Sequence, residues 1–441
     1  MYVLYSALLA LALLISLPYW MLQMIRHGKY REGLQERLGR VPSRLTSPAA
    51  RKSIWVHAVS VGEVLAVSRL VAEIRSRLPE LRVVVSTTTS TGQRLAHQRF
   101  GPENVFYFPL DFGFAVNPYL SAIQPELVVL TETEFWPNFL RLTKQKGAGI
   151  AVVNARISDR SWPRYRSLRP LFTQVLKNVD CFLAQTGTDR ERLTQLGVPQ
   201  ERIQIAGNLK FDLAPPVQPP VVASLRSAFK QSDVSPVVVA GSTMEGEESL
   251  LLRTFEIVRG GHPRAVLILA PRHPQRFQQV TDLVASLGIP VWRRSLWSGE
   301  SLAGSVLLLD TIGELAAVYA LADIAFVGGS LSDHGGHNIL EPAQYGVPVV
   351  IGPNYANFRQ IVDLFRAHDA VRVVGPAELP LTFVDLLTNE SERAALGQRA
   401  LEVVRNQNGA TDKTLAVLEQ LLARTGMTRQ SKGEPTASQK N

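Results

Sequence analysis

Short apolar runs alternate with segments of helical length along most of this chain, and the alternation happens twice. The first series comprises IWVHA (54–58), VVVST (83–87), LVVLT (127–131), GIAVVN (149–154) and CFLA (181–184). The second comprises VVVAG (237–241), AVLILA (265–270), SVLLLD (305–310), DIAFVGG (323–329) and PVVIG (348–352). Strands this continuously apolar are buried on both faces, as in parallel sheets covered by helices on either side. Between the two series, LAPPVQPPV (213–221) carries four prolines in the six positions from Pro215 to Pro220, a composition that resists both helix and sheet. The pattern predicts an α/β protein of two doubly wound, Rossmann-like domains facing each other across a cleft, with ligands at the carboxyl ends of the strands. The expected boundaries are 26–212 for the first domain, 213–235 for a proline-rich linker and 236–424 for the second domain, with 425–441 a polar, disordered tail.

Residues 1–25, MYVLYSALLALALLISLPYWMLQMI, contain no charged side chain. A helix of that length reaches roughly 37 Å, enough for a hydrocarbon core of about 30 Å. Tyr2, Tyr5, Tyr19 and Trp20 suit the interfaces, and Pro18 marks a kink or an end. No basic segment precedes the run and no small-residue cleavage site follows it, so it reads as a retained N-terminal transmembrane helix and not a signal peptide. Eight Lys or Arg lie between Arg26 and Lys52, against only Glu32 and Glu36. That collar puts the remaining chain on the cytoplasmic side and draws it onto an anionic surface. Much of the formal charge of +9 lies near the N-terminus or in the tail, and few aromatics interleave with the basic residues, so nucleic acid is not the expected partner. The single cysteine, Cys181, excludes an internal disulfide framework and fits a reducing compartment.

Within the first series, WVHAVSVGEVLA (55–66) places one carboxylate, Glu63, beside Gly62 where a strand turns into a helix. Ser60-Val-Gly-Glu63 fits a capping box in which Glu63 reaches back to the Ser60 amide. A helix start also favours an ionised carboxylate, the form a general base needs, and Gly62 lets a ligand approach the backbone. The residues alone leave cap and base equally open. In the second series, VGGSLSDHGGHNILEPAQYG (327–346) follows a strand, pairs glycines twice and opens a helical segment at Asn338. Such turns offer backbone N–H groups to phosphate, and Glu341 is placed for a ribose; the alternative, Asn338 and Glu341 as a cap, is less favoured by four glycines. His334 and His337 have no further ligand at metal spacing, and no D-x-D occurs in the chain, so no metal is expected. Strand-to-helix junctions at TIGEL (311–315), APRHPQRF (270–277) and GSTMEGEE (241–248) add Glu314, Arg272 and three acids that could serve only as a cap. TETEFWPN (131–138), NARIS (154–158) and GNLKFD (207–212) place Glu132, Glu134, Asn154, Arg156 and Lys210 at strand ends or near the linker.

Taken together, SVGE (60–63), TETEFWPN, NARIS, NLKFD (208–212), GST-x-EGEE (241–248), PRHPQRF (271–277) and GGSLSDHGGHNILEPA (328–343) resemble, in order and over nearly the whole chain, the 3-deoxy-D-manno-octulosonic acid (Kdo) transferases of lipopolysaccharide biosynthesis. The resemblance implies the glycosyltransferase-B architecture, with an acceptor-binding first domain and a CMP-sugar-binding second domain. It implies metal-independent, inverting transfer from CMP-Kdo to a lipid A precursor at the cytoplasmic face of the inner membrane, with no cofactor. Glu63 matches the family's catalytic base. Pro271 and Arg272, then Ile312, Gly313 and Glu314, then Asn338, Ile339, Leu340 and Glu341 match its CMP-binding positions. Lys210 and Arg156 are further candidates for anion or substrate contact. Met244 stands where the family usually has histidine. Two other enzymes share such an architecture, a sugar-nucleotide epimerase and a membrane-associated UDP-sugar-dependent lipid glycosyltransferase. The apolar helix and basic collar argue against the first; nucleotide choice tests the second.

Overall fold

The computed structural model describes residues 1–27, 32–46, 52–212 and 220–431. The chain forms two compact units, one of residues 1–212 with 408–441 and one of residues 213–407. Lys29, Arg31 and Arg51 of the basic collar lie outside the described residues.

The first unit is built on a seven-stranded sheet of β1 (Ser53–His57), β2 (Arg82–Thr87), β3 (Val105–Tyr107), β4 (Pro125–Thr131), β5 (Gly149–Ala155), β6 (Cys181–Ala184) and β7 (Ile203–Ile205) in the order β3-β2-β1-β4-β5-β6-β7. All its pairings are parallel. Alternate residues of each strand feed two separate cores. Trp55, Val128, Leu130, Ile150 and Val152 pack on one face, and Ile54, Val56, Leu127, Val129, Ala151 and Val153 on the other. Both faces are dry, which is why the strands read as unbroken apolar runs. Strand order reverses between β1 and β4, so the loop after β1 sits at the switch point where such sheets bind ligands.

The second unit repeats the plan with β8 (Val237–Thr243), β9 (Val266–Pro271), β10 (Val291–Arg293), β11 (Val306–Leu308), β12 (Ile324–Val327), β13 (Val349–Ile351) and β14 (Arg372–Val373), in the order β10-β11-β9-β8-β12-β13-β14, again wholly parallel. Its switch point lies between β8 and β12, the strands that carry GSTMEGEE and the glycine-rich turn.

Three boundaries differ from the expected ones. Residues 213–219 of the proline-rich stretch lie outside the described residues, but Pro220–Gln231 is a helix inside the span expected to be linker. Proline at a first helical position loses no hydrogen bond and presets φ, so Pro220 starts this helix and does not forbid it. The last helix, Ala410–Ser431, belongs to the first unit and not the second. Ala410, Leu415 and Leu418 enter the first unit's core, and the buried Asp212 carboxylate accepts hydrogen bonds from the Gly409 amide at 2.7 Å and from the Thr411 amide. The same helix covers 425–431, the start of the expected tail; residues 432–441 lie outside the described residues.

The N-terminal helix runs Tyr2–His27 without ending at Pro18, and an 18-residue stretch within Tyr2–Arg26 has a mean hydropathy of 1.9, so the helix is long and apolar enough to cross a membrane. Its first turn touches the first unit: Asn138 Nδ2 donates to Ser6 Oγ at 3.0 Å, and Asn178 Nδ2 donates to the Tyr2 hydroxyl at 3.2 Å.

Candidate active site

Glu63 lies in the first turn of the Val61–Arg77 helix, just beyond β1, and is only 8% exposed. The capping box does not form as expected. Glu63 Oε2 accepts from the Val59 amide at 2.9 Å and Oε1 accepts from the Ser60 hydroxyl at 3.0 Å, so the acid is held by the strand-to-helix turn itself. Burial raises its pKa from the ordinary value of 4.5 to about 7; the Val59 bond opposes that rise, and the charges of Glu132 and Glu134 add to it. A carboxylate near neutrality, fixed at a switch point, is matched to taking up a proton at physiological pH.

Around it the neighbouring strands end under strain. Glu132 follows β4 at φ 60°, and Asn154 in β5 is at φ 54°, both in the left-handed region that non-glycine residues rarely occupy. Such outliers persist where surrounding structure over-determines them, commonly at functional sites. Asn154, 1% exposed, fixes its own orientation by accepting the Leu209 amide at 3.0 Å on Oδ1, which leaves Nδ2 buried without a partner among the described residues. Leu209 opens the short turn carrying Lys210, whose Nζ lies 3.3 Å from Glu132 Oε1. Lys210 is therefore tied to the same group of acids as Glu63, through Glu132. Glu132 and Asn154, like Glu134, carry no role in the sequence motifs, and the positive φ of Glu132 and Asn154 cannot be read from sequence. Arg156 stands beyond β5, half-buried, with its Nε enclosed and unpartnered among the described residues, and no contact links it to Glu63.

In the second unit the nine positions proposed for the nucleotide divide by what they can offer. Pro271 ends β9, and the Arg272 amide donates to the Thr243 carbonyl at 2.9 Å, which ties the ends of β9 and β8 together. Burial raises the pKa of Glu341, while the bond from Asn338 and the Arg272 charge lower it. Asn338 Nδ2 reaches Glu341 Oε1 at 3.4 Å and its Oδ1 accepts from the Leu340 amide at 3.2 Å. Ile339 and Leu340 bury their side chains in the core, so only their backbones can serve a ligand. Burial, with the Arg272 charge and those of His334 and His273, lowers the His337 pKa to about 4, so this imidazole is neutral. Glu314 is paired with Arg294 at 3.1 Å and accepts from the Thr311 hydroxyl; Ile312 beside it is 86% exposed and Gly313 has φ 91°. The helices following these two turns, Leu315–Val318 and Leu340–Ala343, are each about one turn long. Any anion there relies on local amides and Arg272 more than on a long helix dipole. No group of three His, Cys, Asp or Glu able to hold a metal occurs among the described residues.

Two doubly wound units, with a buried carboxylate at one switch point and a glycine-rich turn at the other, define an enzyme fold of the glycosyltransferase-B class. A UDP-GlcNAc 2-epimerase from Neisseria meningitidis, solved bound to UDP-GlcNAc, shares that fold at a TM-score of 0.54 and 14% identity, covering 84% of this chain and 100% of its own. Residues 32–213 match the family model for 3-deoxy-D-manno-octulosonic-acid transferase. The chain is 34% identical over 95% of its length to the 3-deoxy-D-manno-octulosonic acid transferase of Haemophilus influenzae, and covers 98% of that relative. It is also 34% identical to the Bordetella pertussis transferase, over 94% of this chain and 98% of the relative. The chain belongs to the 3-deoxy-D-manno-octulosonic acid transferase family and is a glycosyltransferase of lipopolysaccharide biosynthesis.

Proposed function

We propose that this protein transfers Kdo from CMP-Kdo to a lipid A precursor of the lipid IVA type, with inversion, without a metal, and with release of CMP. The observation that carries the reading is Glu63, a buried carboxylate aimed by the Val59 amide and the Ser60 hydroxyl, with a pKa raised to about 7. Glu63 removes the proton of the acceptor hydroxyl as that oxygen forms a bond to the anomeric carbon of Kdo, and the bond from that carbon to the CMP phosphate oxygen breaks. Arg272 balances the charge that develops on the departing phosphate. Asn338, Glu341 and the Ile312–Glu314 turn hold the rest of the nucleotide. Lys210, kept in place by Glu132, supplies positive charge on the Glu63 side of the reaction. The apolar Tyr2–His27 helix anchors the protein at the inner membrane, with the body in the cytoplasm. The contacts of Tyr2 and Ser6 join the N-terminal end of the helix to the first unit, and a helix spanning the bilayer gives them up.

The test is transfer from CMP-Kdo to a tetraacylated lipid A precursor by wild type, Glu63→Ala and Glu63→Gln, with folding checked by melting temperature. Loss of transfer by orders of magnitude in folded variants supports the reading. Normal transfer by the variants removes Glu63 as the base. Thermal protection by UDP but not by CMP overturns the choice of donor.

A further inference from the structure

We propose that Glu247 is a positioning residue for the donor, an internal anion that occupies the amide nest of the glycine-rich turn and thereby leaves the donor phosphate to Arg272 and to the backbone beyond Gly335. The inference rests on the nucleotide reading of this unit. A glycine-rich turn after a parallel strand ordinarily offers its N–H groups to phosphate. Here they are already taken. Glu247, 2% exposed, opens the Glu247–Gly261 helix and turns its carboxylate towards the turn after β12. Oε2 accepts from the Gly329 amide at 2.8 Å, and Oε1 accepts from the Ser330 amide at 3.0 Å and the Leu331 amide at 2.9 Å. The same Oε2 accepts from the Met244 amide at 2.8 Å, so one carboxylate ties the GSTMEGEE turn to the GGSLS turn across the switch point.

The approach of the two turns is close enough to explain Gly328. A Cβ at that position would lie 2.5 Å from the Ser242 carbonyl oxygen, 2.6 Å from Thr243 Cα and 2.8 Å from Glu247 Oε2. Further bonds fix the far side of the turn: the Gly336 amide donates to the Gly329 carbonyl at 2.7 Å, and the Gly352 amide donates to Ser330 Oγ at 2.9 Å. Residues 328–332 are thus a locked base, and the segment carrying His337, Asn338 and Glu341 projects from it. Glu248, next in sequence, has a different task. It forms a two-pronged pair with Arg276 at 2.7 and 3.0 Å and accepts from the Thr243 hydroxyl at 2.9 Å.

The test compares wild type with Glu247→Gln in the full-length protein. The amide side chain is nearly isosteric, but its NH2 group faces backbone donors and its single oxygen cannot serve all four. The expected result is a KM for CMP-Kdo raised at least about tenfold with kcat at saturating donor within about threefold, and weaker thermal protection by CMP. A folded Glu247→Gln with unchanged KM for CMP-Kdo and unchanged CMP protection overturns the proposal. Hydrogen exchange on the wild type gives an arm that needs no variant. The Gly329, Ser330 and Leu331 amides should be protected equally with and without CMP. Fast exchange that CMP suppresses would mean that these amides bind the ligand, and would also overturn it. If CMP fails to protect the wild type at all, the nucleotide reading fails, while the ligand-free exchange rates still decide whether Glu247 holds the turn.

Discussion

Replacing Glu63 by glutamine should abolish transfer and at the same time make the first unit more stable at alkaline pH. The fold holds this carboxyl at about 7 where an unburied one titrates at 4.5, chiefly because burial penalises the ionised form. At one pKa unit per 1.36 kcal/mol, ionised Glu63 costs the folded state about 3 kcal/mol above pH 8. The sign follows from proton binding. Between 4.5 and about 7 the folded state holds a proton that the unfolded state has lost, so the stability present at acid pH is lost as pH rises through that window. Glutamine removes the ionisation while keeping an oxygen for the Val59 amide. The variant should exceed wild type by about 3 kcal/mol at pH 8, or about 6–12 °C in the transition of the first unit, and by less than about 1 kcal/mol at pH 5. Denaturant and thermal unfolding of both proteins at the two pH values give the comparison. A stability difference that is absent at pH 8, or equal at pH 5 and pH 8, would refute the claim that burial tunes this acid.

The same titration should shape catalysis: kcat/KM should fall about tenfold per pH unit below about 7 and level off above it, and an acid limb centred near 4.5 would remove Glu63 as the base. Asp212→Ala leaves the Gly409 and Thr411 amides without their acceptor and should destabilise the first unit by about 2–4 kcal/mol, seen as faster hydrogen exchange in 410–431; unchanged exchange would show that the helix is held by its apolar face alone. Deletion of residues 1–27 should release the protein from sedimenting membranes while CMP still raises its melting temperature; continued sedimentation would place the membrane contact elsewhere.

Most inner strands of both sheets contribute to two dry cores, and double-sided burial leaves a legible run of Val, Ile and Leu. The strands without such a run are β3, β7, β10 and β14, and every one is a sheet edge. Edges have one neighbour and two or three residues here, so a periodic signal cannot build up. Nothing local to the C-terminal helix states which sheet Leu415 and Leu418 cover. That choice depends on Asp212, some two hundred residues earlier. At the candidate site, glycines and acids mark turns at strand ends, but spacing does not disclose the partners those side chains find. The motif GST-x-EGEE read as a helix cap, whereas Glu247 and Glu248 reach sideways to a distant loop and to Arg276. Spacing along the chain records neighbours on one element; it carries no record of contacts made when two strand ends meet.

The path of the chain sets an order of assembly. The second unit is an insertion in the first, since residues 213–407 separate the first unit's sheet from the helix that completes its core. During synthesis at about 5–20 residues per second, Asp212 leaves the ribosome roughly 10–40 s before Ala410 does. Throughout that interval the face of the sheet awaiting Ala410, Leu415 and Leu418 is open, while the second unit is complete once residue 407 has emerged. The unit that begins first therefore finishes last. A chain cut short before residue 408 would carry a finished second unit on an unfinished first one, a nascent product with exposed apolar surface for chaperones and proteases to detect.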